Sequence, residues 1–199
     1  PMMSAQKRVL LIIGGGIAAY KSLELIRELA RRDIGVRAIL TRAGTEFITP
    51  LSVASLSGDK CYTDLFDLTD EAEMGHIELS RSADLVVVCP ATADIMAKAA
   101  SGLATDLATT ALLATNKPVF FVPAMNVRMW QHPATVRNIE ILRADRTIIM
   151  DPDEGAMACG EFGPGRLPEI SQIADRIERM LSASSALEGI HALVTAGPT

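Results

Sequence analysis

The chain has 199 residues, of which 49% are hydrophobic and 4% aromatic, and its net charge is −5. Its longest stretches without Asp, Glu, Lys or Arg, Val9–Tyr20 and Phe47–Gly58, are shorter than the roughly 20 residues of a membrane-spanning helix. The acidic balance and scarce aromatic residues argue against a nucleic-acid partner, and three cysteines without a C-x-x-C pair predict neither a disulfide framework nor a metal site. We therefore expect a cytoplasmic protein that binds no nucleic acid, membrane or metal.

Short apolar runs alternate with helical patterns along the chain. Arg8–Ile13 is predicted as the first strand, and it is followed by three glycines and an amphipathic helix. The alternation predicts right-handed βαβ units, hence a Rossmann-like (flavodoxin-like) doubly wound parallel sheet in a three-layer α/β/α domain over residues 1–190. Further strands are predicted at Val36–Leu40, Leu85–Cys89, Val119–Val122 and Thr147–Met150, and helices at Asp94–Ala100, Asp106–Ala114, Pro133–Ala144 and a closing segment around Ile170–Leu181.

A glycine turn follows the first predicted strand, where function gathers in such sheets. In Gly14-Gly15-Gly16 the missing side chains let backbone N–H groups and the helix dipole reach a phosphate. The second strand ends in Thr41-Arg42 rather than in the acid that holds a dinucleotide ribose. A mononucleotide phosphate held by the turn and the Thr41 hydroxyl is therefore favoured over NAD, the alternative being a turn needed only for packing.

Two later strand ends also carry candidate residues. Small residues follow the third strand in Pro90–Asp94, and their backbone suits a flat ring, although Thr92 there is equally typical of a helix N-cap. The fourth strand leads into Met125-Asn126. Asn126 offers a donor and an acceptor to a substrate carboxylate or amide, or caps the next short helix. The pattern leaves both alternatives open.

A glycine-rich segment follows the fifth predicted strand. Residues 155–166 contain Cys159 and four glycines, which rules out a stable helix and predicts a mobile flap that carries one thiol. Cys61 and Cys89 lie in apolar contexts typical of buried packing residues. His76 precedes the third strand and, taken alone, is more typical of a structural or surface histidine than of a catalytic one.

Taken together and in order, five motifs resemble those of the homo-oligomeric flavin-containing cysteine decarboxylases, especially the members that act on phosphopantothenoylcysteine. The resemblance covers nearly the whole chain. The motifs are Gly15–Lys21, Gly75–Leu79, Pro90–Asp94, Pro123–Asn126 with Met129-Trp130, and Ala158–Gly160 with Gly163–Arg166.

This resemblance implies FMN as the cofactor and decarboxylation of phosphopantothenoylcysteine to phosphopantetheine and CO2 in coenzyme A biosynthesis. In the family's mechanism, flavin oxidises the substrate to a thioaldehyde, loss of CO2 leaves an enethiolate, and the reduced flavin returns the hydride. The reaction therefore has no net redox change, since the flavin serves as a temporary electron sink and returns what it accepted.

The resemblance also assigns roles to residues. His76 is expected to act as base during thiol oxidation, Asn126 to hold the substrate carboxylate and Cys159 to protonate the last intermediate, with Met129 and Ala158 beside the substrate. The expected cofactor contacts are Gly15, Gly16, Ile17, Ala18, Thr41, Pro90, Ala91, Thr92, Ala93, Asp94, Asp106 and Met125.

Two positions depart from the family's pattern. Gly14 stands where Ser or Thr is usual, and Thr105 where Asn is expected, which puts one phosphate contact and one flavin or interface contact in doubt. The resemblance further implies a homotrimer with the FMN site at an interface, assembling into a dodecamer. The alternatives are a flavin-binding regulatory relative, a flavoprotein that acts on a peptide C-terminal cysteine or transfers a prenyl group, and an NADP-binding module that uses Arg42.

The end of the chain resembles a different enzyme. Ala192–Thr199 is similar to the first strand of a phosphopantothenate–cysteine ligase, so residues 191–199 are expected to be the truncated start of a second domain. A Ser/Ala linker is predicted near Ser182–Ala186. The full-length protein is accordingly expected to be a ligase as well.

Overall fold

The computed structural model describes residues 5–65 and 72–187. Six strands form one parallel sheet in which β1 and β4 lie side by side at the centre, and the order across the sheet is β3-β2-β1-β4-β5-β6. These strands are β1 Arg8–Ile13, β2 Gly35–Leu40, β3 Cys61–Tyr62, β4 Leu85–Ala91, β5 Val119–Pro123 and β6 Ile148–Ile149. A separate antiparallel hairpin pairs β7 Asp153–Ala156 with β8 Phe162–Arg166.

Helices cover both faces of the sheet. α1 and α8 pack on one face, while α4, α5 and α7 pack on the other. The helices are α1 Ala19–Arg31, α2 Pro50–Ser57, α3 Ala72–Arg81, α4 Ala93–Ala100, α5 Leu107–Ala114, α6 Val127–Gln131, α7 Pro133–Ala144 and α8 Ile170–Leu187. The predicted doubly wound three-layer fold is confirmed.

Burial on both faces explains the apolar composition. Along β1, Leu11 and Ile13 face the core beneath α1 and α8, whereas Leu10 and Ile12 face the core beneath α4, α5 and α7. All four are fully buried. A strand covered on both sides reads as a continuous aliphatic run rather than an alternating one. Within the described ranges no helix is long and apolar enough to cross a membrane.

The sheet order also positions the functional site. The chain moves outward from β1 to β2 and β3, then returns across β1 to β4 and continues outward to β5 and β6. The loops that follow β1 and β4 therefore lead to helices on opposite faces of the sheet. Such a switch point opens a crevice at the carboxyl edge of a parallel sheet, where ligands bind.

Several features of the chain differ from the sequence-based prediction. The strand β3, the helices α2 and α3 and the β7–β8 hairpin were not predicted, and the hairpin occupies the segment for which only a glycine-rich flap was expected. Residues 182–186, predicted as a Ser/Ala linker, lie within α8, which continues to Leu187. Ser and Ala tolerate a helix interior well enough for the preceding amphipathic turns to extend it. The ligase-like residues Ala192–Thr199 lie outside the described residues.

Candidate active site

A cavity of about 590 Å³ lies at the carboxyl ends of β1, β4 and β5. Four segments line it: the glycine turn after β1, the loop after β4, the loop after β5 and the β7–β8 hairpin. The sequence-predicted residues that line it are Gly15, Gly16, Ile17, Ala18, Pro90, Thr92, Ala93, Met125, Asn126, Met129, Ala158 and Cys159. The structure therefore brings together most of the site expected from the motifs.

The glycine turn forms one wall of the cavity and requires glycine for two reasons. A Cβ at Gly15 would lie 2.8 Å from the Ala43 backbone carbon in the turn after β2, and Gly16 has a φ of +152°. The turn leads into α1, whose first residues have no side-chain cap. A helix N-terminus without a side-chain cap presents backbone N–H groups and the positive end of the helix dipole, and both suit an anion.

Replacing Gly15 with alanine is expected to displace this turn. The added methyl would overlap the Ala43 backbone, so the protein should lose the flavin that the sequence resemblance implies, together with about 2 kcal/mol or more of unfolding free energy, as overpacking of a close contact does. The matched control is Gly35→Ala at the start of β2, where the nearest atoms are at ordinary contact distances. Flavin absorbance and urea titration measure the two effects. Flavin retention in Gly15→Ala equal to that in Gly35→Ala would contradict the role of the turn.

The loop after β4 is fixed to the glycine turn. The Gly14 N–H donates to the Pro90 carbonyl at 3.2 Å. Thr92 is the N-cap of α4, and its hydroxyl accepts from the Ile95 N–H at 3.1 Å. Thr92 also lines the cavity, so the cap and a place in the site coexist.

Asn126 likewise combines the two roles that the sequence left open. Its Oδ1 accepts from the N–H groups of Arg128 at 2.8 Å and Met129 at 3.3 Å, which caps α6. Its Nδ2 points the other way, donating to Glu161 Oε2 and lying 3.7 Å from Cys159 Sγ. The cap therefore fixes the amide with its donor toward the hairpin.

The hairpin is held against the loop after β5 by a backbone contact. The Met125 N–H donates to the Gly165 carbonyl at 2.9 Å. Gly165 has a φ of +143°, and a Cβ there would overlap the Met125 carbonyl oxygen. Glycine at this position is thus required for β8 to approach the loop. The approach places exposed Cys159, in the hairpin turn, opposite Asn126.

Five expected site residues do not line the cavity of this chain. His76 lies on α3 and is half-buried, Ala91 is buried within β4, and Asp94 pairs with Lys98 at 2.9 Å. The other two, Thr41 and Asp106, make local hydrogen bonds.

Thr41 and Asp106 each accept a hydrogen bond from a nearby backbone N–H group. Thr41 Oγ1 accepts from the Gly44 N–H at 3.1 Å in the turn after β2. Asp106 is the N-cap of α5, where its carboxylate accepts from the Thr109 N–H at 2.8 Å. Both side chains therefore have a local structural role, and their predicted contacts with a flavin stay predictions.

Residues that the sequence analysis did not assign also line the cavity or contact its polar groups. Lys21 and Arg166 bring two cationic side chains to it, and Glu161 contacts both Asn126 and Cys159. Glu161 carried no signal of its own, since a glutamate in a glycine-rich segment is typical of a solvated surface residue. Only its position two residues after Cys159 could have drawn attention to it.

The three cysteines are expected to differ in reactivity. Burial raises the pKa of Cys61 to about 11 and that of Cys89 to about 12, whereas Cys159 is exposed. At pH 8 the two buried thiols would be thiolate in only about one molecule in a thousand or fewer, so an alkylating reagent should modify Cys159 alone until the protein unfolds. Peptide mass spectrometry checks this, and native-state labelling of Cys61 or Cys89 would contradict the described burial.

Comparison with known proteins identifies the family. A family model described as Flavoprotein matches residues 1–182. The chain belongs to the flavoprotein family. The coenzyme A biosynthesis bifunctional protein CoaBC of Escherichia coli K12 is 45% identical over 198 residues, covering 100% of this chain and 49% of that protein. CoaBC of Bacillus subtilis is 42% identical, covering 99% of this chain and 49% of that protein. The chain thus spans about half the length of these relatives.

Solved structures agree with this membership of the flavoprotein family. A PPC decarboxylase mutant complexed with pantothenoylaminoethenethiol superimposes with a TM-score of 0.78 at 30% identity, covering 89% of this chain and 99% of that one. The FMN-binding protein AtHal3 gives a TM-score of 0.76 at 31% identity, covering 89% and 98%. The expected fold and family are both confirmed.

The flavin that the family name implies fits the residues present. A Cβ at Gly16 would meet nothing within 4 Å, so the turn leaves open space beside the α1 N-terminus, whose N-cap makes no side-chain hydrogen bond and whose dipole suits a phosphate. Pro90, Ala93 and Met125 contribute apolar or small surfaces along the same cavity. These surfaces suit a flat ring system.

Proposed function

We propose that this protein is an FMN-dependent decarboxylase that converts phosphopantothenoylcysteine to phosphopantetheine and CO2 in coenzyme A biosynthesis. One observation carries the proposal: the Asn126 amide nitrogen lies 3.7 Å from the Cys159 sulfur, in the same cavity as the glycine turn. The CoaBC relatives and the match to PPC decarboxylase support the assignment.

FMN, when bound, supplies an electron sink that accepts a hydride equivalent from the substrate and later returns it. The chain's own residues bind and orient the substrate. The Asn126 N–H donates to the substrate carboxylate, and this donor is already aimed by the cap on α6. Met129 and Ala158 line the same wall and exclude water from the reacting atoms.

Proton transfer falls to a second group of residues. Once CO2 has left, the reaction needs an acid at the substrate carbon. Cys159 is the thiol that lines the cavity, and its hairpin turn faces Asn126. His76 is assigned the role of base at the substrate thiol, as its match to the motif histidine of the family implies.

An absorbance spectrum and a turnover assay test this function together. The purified protein should show the visible bands of an oxidised flavin and should release CO2 from phosphopantothenoylcysteine. A flavin spectrum without turnover would instead favour a regulatory relative, and turnover of a C-terminal cysteinyl peptide in preference would favour a peptide decarboxylase. Absence of flavin would overturn the proposal.

We also propose that the protein is a homotrimer, assembled further into a dodecamer, in which His76 completes the site of a neighbouring copy. His76 does not line the cavity of its own chain. Large apolar side chains near the strand ends are exposed, including Ile17 at 64% and Leu51 at 76%. Contact between copies would bury such side chains, in keeping with the apolar composition.

Mixed oligomers test whether His76 acts across an interface. Neither His76→Asn nor Cys159→Ser should form the saturated product alone. If the two residues of one site come from different chains, co-assembly of equal amounts of the two variants should restore product formation at about a quarter of the sites. This fraction is expected because about one site in four would combine an intact His76 with an intact Cys159. Unchanged inactivity after verified chain exchange would place both residues in one chain and contradict the proposal.

The full-length protein is proposed to carry a phosphopantothenate–cysteine ligase after residue 190, and to act in the cytoplasm. The relatives are named as a bifunctional protein, and this chain covers about half of their length, which supports a second activity. Residues 1–190 would then be the decarboxylase domain. Assaying the full-length protein for ligation of cysteine to phosphopantothenate tests this.

A further inference from the structure

The orientation of the Asn126 amide is fixed by its surroundings. Two backbone N–H groups, those of Arg128 and Met129, donate to Oδ1, so a flipped amide would set NH₂ against two donors. The side chain therefore presents an N–H donor, and no acceptor, toward the hairpin. Whatever binds there must be an acceptor, and an anionic one binds best.

That donor has an anionic partner within the protein itself. Glu161 Oε2 accepts from Asn126 Nδ2, and the same oxygen lies 3.8 Å from Cys159 Sγ. The other oxygen, Oε1, lies 3.7 Å from the Arg128 Nε. The Asn126 amide donor is thus hydrogen-bonded to a carboxylate of the protein itself.

We propose that the carboxylate of Glu161 competes with the substrate carboxylate for the Asn126 amide. This inference rests on the proposed function, in which Asn126 binds the substrate carboxylate. The two acceptors have the same chemistry and need the same donor. The substrate must therefore displace Glu161 in order to bind.

Displacement is feasible because Glu161 is not enclosed. Its side chain is 37% exposed and lies beside Arg128, whose side chain is 88% exposed. The displaced carboxylate can be hydrated and can keep its weak attraction to Arg128. The exchange replaces one charge-assisted hydrogen bond by another of the same kind.

Competition for the Asn126 amide also sets the sequence of steps in the reaction. When the substrate carboxylate leaves as CO2, the Asn126 amide loses its ligand and Glu161 can return to it. Glu161 and Cys159 lie in the same hairpin turn, two residues apart, and they contact each other. Return of Glu161 would seat the thiol beside Asn126 only after decarboxylation, when the proton is needed.

A matched pair of ligands tests the competition without turnover. Phosphopantothenoylserine has a hydroxyl in place of the reactive thiol and keeps the carboxylate, whereas phosphopantothenoylethanolamine is the same molecule without the carboxylate. Calorimetry with the FMN-loaded protein measures both dissociation constants. For Glu161→Gln we expect the serine ligand to bind about tenfold tighter and the ethanolamine ligand to change less than about twofold, because a neutral amide is a weaker competitor.

The control is Glu154→Gln, the same exchange at an exposed residue of β7. It should change neither constant. Equal shifts for both ligands in Glu161→Gln would show a general effect on the hairpin and would overturn the inference, as would weaker binding of the serine ligand. If the wild-type protein bound neither ligand and did not turn over phosphopantothenoylcysteine, the proposed function itself would fail.

Discussion

Cys159→Ser is expected to stop the reaction after CO2 has left but before the last proton is delivered. A serine hydroxyl is a far weaker acid than a thiol, so it cannot protonate the substrate carbon at a useful rate. Formation of the saturated product should fall by about a hundredfold or more. Mass spectrometry of the products should detect an unsaturated enethiol, two hydrogens lighter, in its place.

This prediction depends on where the thiol lies. Cys159 lines the cavity and contacts Asn126, while Cys61 is buried in the core beneath α1 and α8. The control Cys61→Ser makes the same exchange away from the cavity and should leave the product ratio unchanged. Undiminished saturated product from Cys159→Ser would remove the thiol from the mechanism.

Asn126→Asp is expected to weaken productive substrate binding strongly while leaving α6 capped. The new carboxylate keeps an oxygen for the N–H groups of Arg128 and Met129. It replaces the N–H donor, however, with a negative oxygen that faces Glu161 and the incoming substrate carboxylate. Loss of a charge-assisted hydrogen bond together with like-charge repulsion should lower kcat/KM by about a hundredfold or more.

Two further variants separate binding from stability. Asn126→Ala removes the cap as well and should cost about 1 kcal/mol of unfolding free energy, whereas Asn126→Asp should cost less. Asn116→Asp makes the same amide-to-acid change at an exposed residue between α5 and β5, and should preserve kcat/KM. Wild-type kcat/KM in Asn126→Asp would show that no donor is needed there.

The central sheet could be predicted because its strands are buried on both faces. β1 and β4 appear in the sequence as uninterrupted aliphatic runs, and their predicted and observed bounds agree to within two residues. A doubly wound order then places the cavity at the strand ends by general topology. No knowledge of side-chain contacts is needed for that step.

The hairpin could not be predicted, because its strands lack the usual signals. β8 has the sequence FGPGR, in which glycine and proline outnumber any β-forming residue. Its pairing with β7 and its approach to Met125 depend on the left-handed conformation and small size of Gly165, a property of the folded structure. Glycine content alone shows that a helix is excluded, and it does not show which partner the segment has.

The polar centre of the site was predictable only in part. The motifs identified Asn126 and Cys159, yet neither the fixed direction of the amide nor the contact with Glu161 follows from spacing. Both depend on how the hairpin meets the loop after β5. His76 could be assigned a role from its motif, but its place outside the cavity appears only in the structure.

Product analysis of the FMN-loaded wild-type protein with phosphopantothenoylcysteine, under exclusion of oxygen and without added reductant, tests the central claim most directly. We predict quantitative conversion to phosphopantetheine, a product lighter than the substrate by one CO2 and nothing else, with the flavin oxidised at the end. Unchanged substrate, or a product that stays two hydrogens lighter with the flavin left reduced, would contradict a complete decarboxylase that uses Asn126 and Cys159 as described.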